Sequence, residues 1–217
     1  MVLLNTDVPQ TSVTSGVISS YSSTLISGMG FKPTYAALLN TPSGLVSSAS
    51  IILSGWAIRR TGNRWFWIAI CCVPGIVGGA LMSFLPKDNH AGTLVGIYLV
   101  NAVVSTLPNT FGWASANVAG QTKRPVTFAL VNAAYSVGNI IGPQTFQARD
   151  APGYYPAKIT VLATQGGGAV FAILLFGYYH MANRSRIPDA QLDESSDSEE
   201  RWLNLTDREN PSFRYVY

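Results

Sequence analysis

Acidic residues are nearly missing from most of this 217-residue sequence. Of its eleven Asp and Glu, eight lie beyond Asn183, and only Asp7, Asp88 and Asp150 come before. Lys and Arg are sparse too. Charged residues make up 12% of the chain, about half the share usual in a soluble globular domain. With a net charge of only +3, no nucleic-acid partner is expected. There are two cysteines, Cys71 and Cys72. Being neighbours on one apolar stretch, they point about 100° apart if helical, which excludes a mutual disulfide or a two-thiolate metal site. The two histidines, His90 and His180, belong to no ligand or acid–base pattern. A phosphate-binding glycine loop, a zinc pattern and a nucleophile elbow are all missing. No enzyme, metal or cofactor is expected.

What the chain does have is length without charge. No Asp, Glu, Lys or Arg occurs between Asp7 and Lys32, Lys32 and Arg59, Arg64 and Lys87, Asp88 and Lys123, Arg124 and Arg149, or Lys158 and Arg184. Each gap exceeds the roughly 20 residues that a helix needs to cross about 30 Å of hydrocarbon. The expected architecture is therefore an all-α integral membrane bundle over 14–182. Its six crossings are expected near 11–31, 34–58, 65–86, 92–119, 125–147 and 159–182. The first is rich in hydroxyls, "TSVTSGVISSYSSTLISG", and suits a bundle interior better than lipid.

Charge also orients the crossings. Arg59, Arg60 and Arg64 fill one loop, Lys123 and Arg124 the loop two crossings later, and Arg184 and Arg186 open the tail. The intervening loops hold Lys32 alone, Lys87 with Asp88, and Arg149 with Asp150 and Lys158. Because Lys and Arg collect on the cytoplasmic side, both termini are expected there. The membrane is expected to be the plasma membrane.

Polar residues run in stripes at helical spacing. Asn40, Ser43, Ser47, Ser50 and Ser54 share a face, as do Ser12, Ser15, Ser19 and Ser22, then Asn101, Ser105, Asn109 and Gly112, then Asn132, Tyr135, Ser136 and Asn139. The third and sixth crossings lack such a stripe. Serines at this spacing serve first as packing contacts, like the glycine pairs Gly75 with Gly79, Gly92 with Gly96 and Gly138 with Gly142. Amides are more demanding. Asn109, Asn132 and Asn139 must find partners across helices or line a cavity, with Trp113 and Tyr135 as flat companions for a substrate. These five are the expected substrate-binding residues. Pro74, Pro108 and Pro143 imply kinks or freed carbonyls.

Longer strings carry a resemblance. "GWAIRRTGNR" resembles the inside-loop motif of the major facilitator superfamily, which reads Gly, three residues, Asp, Arg, any residue, Gly, any residue, Arg. Gly55, Arg60, Gly62 and Arg64 match it, and Arg59 stands at the acidic position. Together with "ANVAGQTKR", "GNIIGPQTF" and "LNLTDRENPSFRYVY", it resembles the fungal allantoate permease family. Members of that family import small organic anions such as ureides, nicotinate and vitamins together with protons. The resemblance runs from about Ser15 to the end, leaves 1–13 outside it, and corresponds to helices seven to twelve of a twelve-helix permease.

It implies a six-helix half whose missing N-terminal half supplies the proton-coupling groups, since no crossing here holds a carboxylate. It also implies a conformational gate at Gly55, Arg59, Arg60, Gly62 and Arg64, with its sign reversed by Arg59. The alternative is a truncated, non-transporting relic or regulatory partner of full-length permeases. The expected partners are a lipid bilayer, a small organic anion, a proton and possibly the missing half.

The tail 183–217, with "DESSDSEE" and Ser195, Ser196 and Ser198 as acid-flanked phosphorylation candidates, is expected to be disordered and cytoplasmic. Asn183 and Asn204 begin glycosylation sequons. On that topology both stay bare, so endoglycosidase treatment of the membrane-expressed chain leaves its gel mobility unchanged. A glycan on Asn204 would reverse the orientation.

Overall fold

The computed structural model describes residues 12–17, 22–86, 89–145, 155–186, 206–207, 209–210 and 213–217. The loop residues Lys87, Asp88, Arg149 and Asp150, the stripe residue Ser19, Asn204 and the tail serines Ser195, Ser196 and Ser198 lie outside these. Among the described residues every regular element is helical. We number the long helices α1 Pro33–Thr61, α2 Arg64–Phe84, α3 His90–Asn101, α4 Thr106–Asn117, α5 Lys123–Gln144 and α6 Tyr155–Arg184. Helical residues 12–17 and 22–27 precede them. These bounds differ by a few residues from those read off the charge gaps.

Four helices are long and apolar enough to cross a membrane: α1, α2, α6 and the combined His90–Asn117. Six were expected. In α5, Asn132, Ser136, Asn139 and Gln144 dilute the hydrophobic run, and before α1 the described helix comes as two short pieces. Large side chains such as Leu45, Ile52, Val73, Ile140 and Met181 point outward, as lipid-facing residues do.

The combined span is not one regular helix. Ala102–Ser105 wind as a 3-10 turn between α3 and α4. Pro108 lies just beyond, with no N–H to give and a ring that crowds the carbonyl four residues back, which explains the local change of winding. α1 ends at Gly62, whose φ of 74° is left-handed and whose N–H returns to the Ile58 carbonyl at 2.8 Å. Glycine takes that C-terminal position without the penalty a Cβ would bring.

Helix α2 is the hub, packed most extensively against α6 and α3. A Cβ on Gly78 would meet the Gly96 carbonyl at 2.5 Å, so the two backbones touch. The same holds at Gly142 of α5, where a Cβ would lie 2.5 Å from the Val13 carbonyl. In lipid, such close approach replaces the hydrophobic drive that water would supply. Two apolar clusters form along these contacts. One gathers Met82, Ile97, Val100 and Val161, the other Ile68, Trp113, Leu175, Tyr179 and Tyr215.

The second cluster includes Tyr215, with Phe213 and Tyr217 packed against it, so the aromatic end 213–217 is placed against the bundle although disorder was expected for the tail 183–217. Tyr215 is buried, stacks on Tyr179 at 4.8 Å, and lies under the Arg186 guanidinium. Two asparagines read its backbone and the next residue's as a neighbouring strand would. Asn183 donates to the Tyr215 carbonyl (2.8 Å) and accepts its N–H (3.0 Å), while Asn117 donates to the Val216 carbonyl (2.9 Å) and accepts its N–H (2.6 Å). The Trp113 indole N–H adds a bond to Val216, and the Arg64 N–H one to Tyr217. Composition pointed to disorder because charge dominates the tail; at the aromatic end the Tyr215 ring and the backbone of Tyr215 and Val216 find partners on the bundle.

An ionic latch completes the junction. Lys123 pairs with Asp207, which also accepts from the Tyr215 hydroxyl at 2.9 Å. Burial alone would raise the Asp207 carboxyl. The hydrogen bonds and charge of Lys123, with the Tyr215 bond, outweigh it and hold the carboxyl below its usual 3.8. Burial first and Asp207 second push the Tyr215 phenol up to about 12, so it stays a donor at neutral pH. A depressed carboxyl stabilises the folded form above its ordinary value, and this is lost as pH falls through the lowered value, under 3.8.

Replacing Asn117 by Ala removes the two part-buried hydrogen bonds to the Val216 backbone, at about 0.5–1.5 kcal/mol each. Hydrogen exchange at Tyr215 and Val216 then accelerates roughly tenfold or more, while that of α2 stays unchanged.

Candidate functional site

The interior between the two apolar clusters is polar. The serine stripe of α1 faces the 3-10 turn, where Ser47 donates to the Asn101 carbonyl (3.0 Å) and Ser50 to the Ala102 carbonyl (2.8 Å). Ser50 also donates to Ser105, and Tyr98 to the Leu39 carbonyl. These serines act as interhelical glue, fixed to carbonyls at the change of winding. One turn further along, Asn109 donates to Ser54 at 3.0 Å.

The five expected binding residues fall in four places. Asn109 lies at the α1–α4 contact. Tyr135 and Asn139 lie on α5 against helical residues 12–17: the Asn139 amide donates to the Tyr135 carbonyl, and its backbone is 3.0 Å from where a Cβ on Gly16 would be. Tyr135 joins Ser12, Ser15, Val103 and Leu107 around a cavity of about 30 Å³, a volume on the scale of one water. Asn132 is exposed and bonds only within its own helix among the contacts described, to the Phe128 carbonyl. Trp113 is fully buried and spends its indole N–H on the tail, which separates it from the other four.

The sixth crossing, with no polar stripe, holds interior groups that spacing did not reveal. Gln165 is fully buried and donates to Thr14 at 2.7 Å, and Thr14 in turn lies 2.9 Å from Thr164. Its carbonyl oxygen and the Thr106 hydroxyl have no hydrogen-bond partner among the described residues. The one available signal was an amide inside an apolar run, directly before three glycines. Gln165 and Thr106 thus bring unspent hydrogen-bonding capacity into the same interior as Asn109 and Tyr135.

In the loop motif, Gly62 caps α1 and Arg64 reaches across to donate to the Gly112 carbonyl at 2.7 Å. Arg59 and Arg60 are exposed, with the Arg60 guanidinium 5.5 Å from the Trp56 ring centre. Gly55 has no atom within 4 Å of where its Cβ would sit.

Membrane-length apolar helices around an uncharged hydrogen-bonding interior define an integral membrane protein. The chain is 33% identical over 206 residues to the MFS-type transporter cnsL of Penicillium expansum, aligning 94% of itself with 42% of that protein. It is 31% identical over 205 residues to the Thiamine pathway transporter THI73 of Saccharomyces cerevisiae, 94% against 39%. It is 27% identical over 216 residues to the Allantoate permease of the same yeast, again 94% against 39%. No family model matches the chain. The chain spans about two fifths of the length of these curated relatives. These relatives are named as transporters or a permease.

Interhelical hydrogen bonds in membrane bundles average about 0.6 kcal/mol, with an upper end near 1.7. A double-mutant cycle on Ser54→Ala and Asn109→Ala, read by unfolding in detergent, is expected to give a coupling in that range.

Proposed function

We propose that this chain is the C-terminal, six-helix half of a major facilitator superfamily transporter that takes up a small organic anion together with protons. The observation that carries this reading is the alignment of nearly the whole chain with about two fifths of several fungal transporters, one of them an allantoate permease. The neutral interior supports it. Among the described residues no helix contains Asp or Glu, so this half would bind by hydrogen bonds and stacking while the other half supplies charge and the proton carrier.

On this reading Asn109, Tyr135, Asn139 and Asn132 face the path between the halves. Gln165 and Thr106 extend that polar wall, and Trp113 holds its base in place. Gly55, Arg59, Arg60, Gly62 and Arg64 form the gate loop on the cytoplasmic side of the plasma membrane, where both termini lie. Arg59, at the position where the resemblance has an acid, favours a second reading: a non-transporting chain that pairs with full-length permeases.

The native product, tagged at its C-terminus and blotted from membranes, separates the two. The transporter half predicts a band about twice the chain's 23.3 kDa, as two six-helix repeats require. It also predicts carboxylate uptake that a protonophore abolishes and that Asn109→Ala lowers roughly tenfold, the effect of about 1.4 kcal/mol. A band near 23 kDa with no uptake supports the second reading.

A further inference from the structure

A groove of about 360 Å³ runs between α1 and α2. Val46, Ala49 and Leu53 form one wall, Trp67, Ile70 and Pro74 the other, and Ala102 lies at its floor. The wall is nearly all hydrocarbon, because its two serines spend their hydroxyls on carbonyls, Ser50 on Ala102 and Ser54 on Ile51. At one end Trp67 donates its indole N–H to Thr61. Just beyond stand Arg59 and Arg60, both exposed, and no carboxylate among the described residues pairs with either.

We propose that this groove is a binding site for a phospholipid with an anionic headgroup, one acyl chain lying between α1 and α2 and the phosphate held by Arg59 and Arg60. The order of side chains along α1 matches the order of groups along such a lipid. Val46, Ala49, Leu53, Trp56 and Arg60 follow one another at spacings of three and four, on one face. Hydrocarbon comes first, then an exposed indole, then a guanidinium resting on that indole.

The lengths agree as well. From Val46 to Trp56 is about 15 Å at ~1.5 Å per residue, and one leaflet contributes about half of the ~30 Å hydrocarbon core. Trp56 therefore stands at the depth where aromatic belts form, and Arg60 one turn further, at the phosphates.

The charge also selects. Basic side chains between helices at the membrane surface favour anionic headgroups over zwitterionic ones, and the planar guanidinium fits phosphate oxygens in pairs.

The test uses the full chain in nanodiscs of phosphatidylcholine containing a tenth, on the order of, of phosphatidylserine with a photoactivatable diazirine on its acyl chain. Illumination is expected to label peptides spanning 46–54 and 67–74 above all others. Replacing both arginines, Arg59→Gln with Arg60→Gln, should lower that label by about fivefold for each arginine removed. The same label on a phosphatidylcholine probe should stay unchanged. Ala49→Phe, which fills the groove but keeps the arginines, should lower labelling by both probes. Labelling spread evenly over the outward faces, or undiminished in either variant while the thermal midpoint matches the parent chain, overturns the proposal. So does phosphatidylcholine labelling that equals phosphatidylserine labelling in the parent.

Discussion

Everything in this structure depends on a single constraint: in hydrocarbon, a polar group has only other protein groups to bond with. The serines of α1 illustrate it. They could have turned to lipid, where a hydroxyl has no partner but its own helix. They meet the carbonyls of the 3-10 turn instead, so that Ser47 and Ser50 fix α1 against the very segment whose backbone is least regular. At the far end the constraint recurs in another form. Tyr215 and Val216 bring backbone donors and acceptors against the bundle, and Asn183 and Asn117 answer them pair by pair.

These features divide the bundle into levels. Apolar clusters occupy both ends, with Val100 and Val161 in one and Trp113 and Tyr179 in the other. Gln165, Thr14, Ser105 and Asn109 fill the level between them. The packing that sets these levels comes from glycine. Gly78 and Gly96 allow α2 and α3 to touch backbone to backbone, which brings their side chains into register above and below. A polar middle between two greasy ends gives stability to the ends and leaves hydrogen-bonding freedom at the centre.

Much of the architecture was legible in the sequence because the signal was an absence. Uncharged runs between Lys32 and Arg59 or between Lys158 and Arg184 mark helices without any need for periodicity. Stripes were legible as faces, and in α1 the packing role given to its serines matches the bonds they make. The destinations of individual amides and rings were not. Asn109 and Asn132 look alike in sequence, yet one crosses to Ser54 while the other closes on its own helix, because the packing of the neighbour decides it. Trp113 fits a binding stripe by spacing, but its partner is a residue some hundred positions away, which no local pattern encodes. The tail escaped for the opposite reason. Its charge masked a short aromatic end whose order depends on Tyr179, Arg186 and Lys123.

The 3-10 turn has a rotational meaning. A residue advances a helix by ~100° in α winding and by ~120° in 3-10 winding. Over the four residues Ala102–Ser105 the difference accumulates to about 80°. The turn thus works as a fixed phase offset between the two halves of one span. Wound as ordinary α-helix, the same sequence would swing α4 through nearly a quarter turn, taking Asn109 off Ser54 and the Trp113 indole off Val216. Which faces meet along this whole span is therefore set by the winding of four residues.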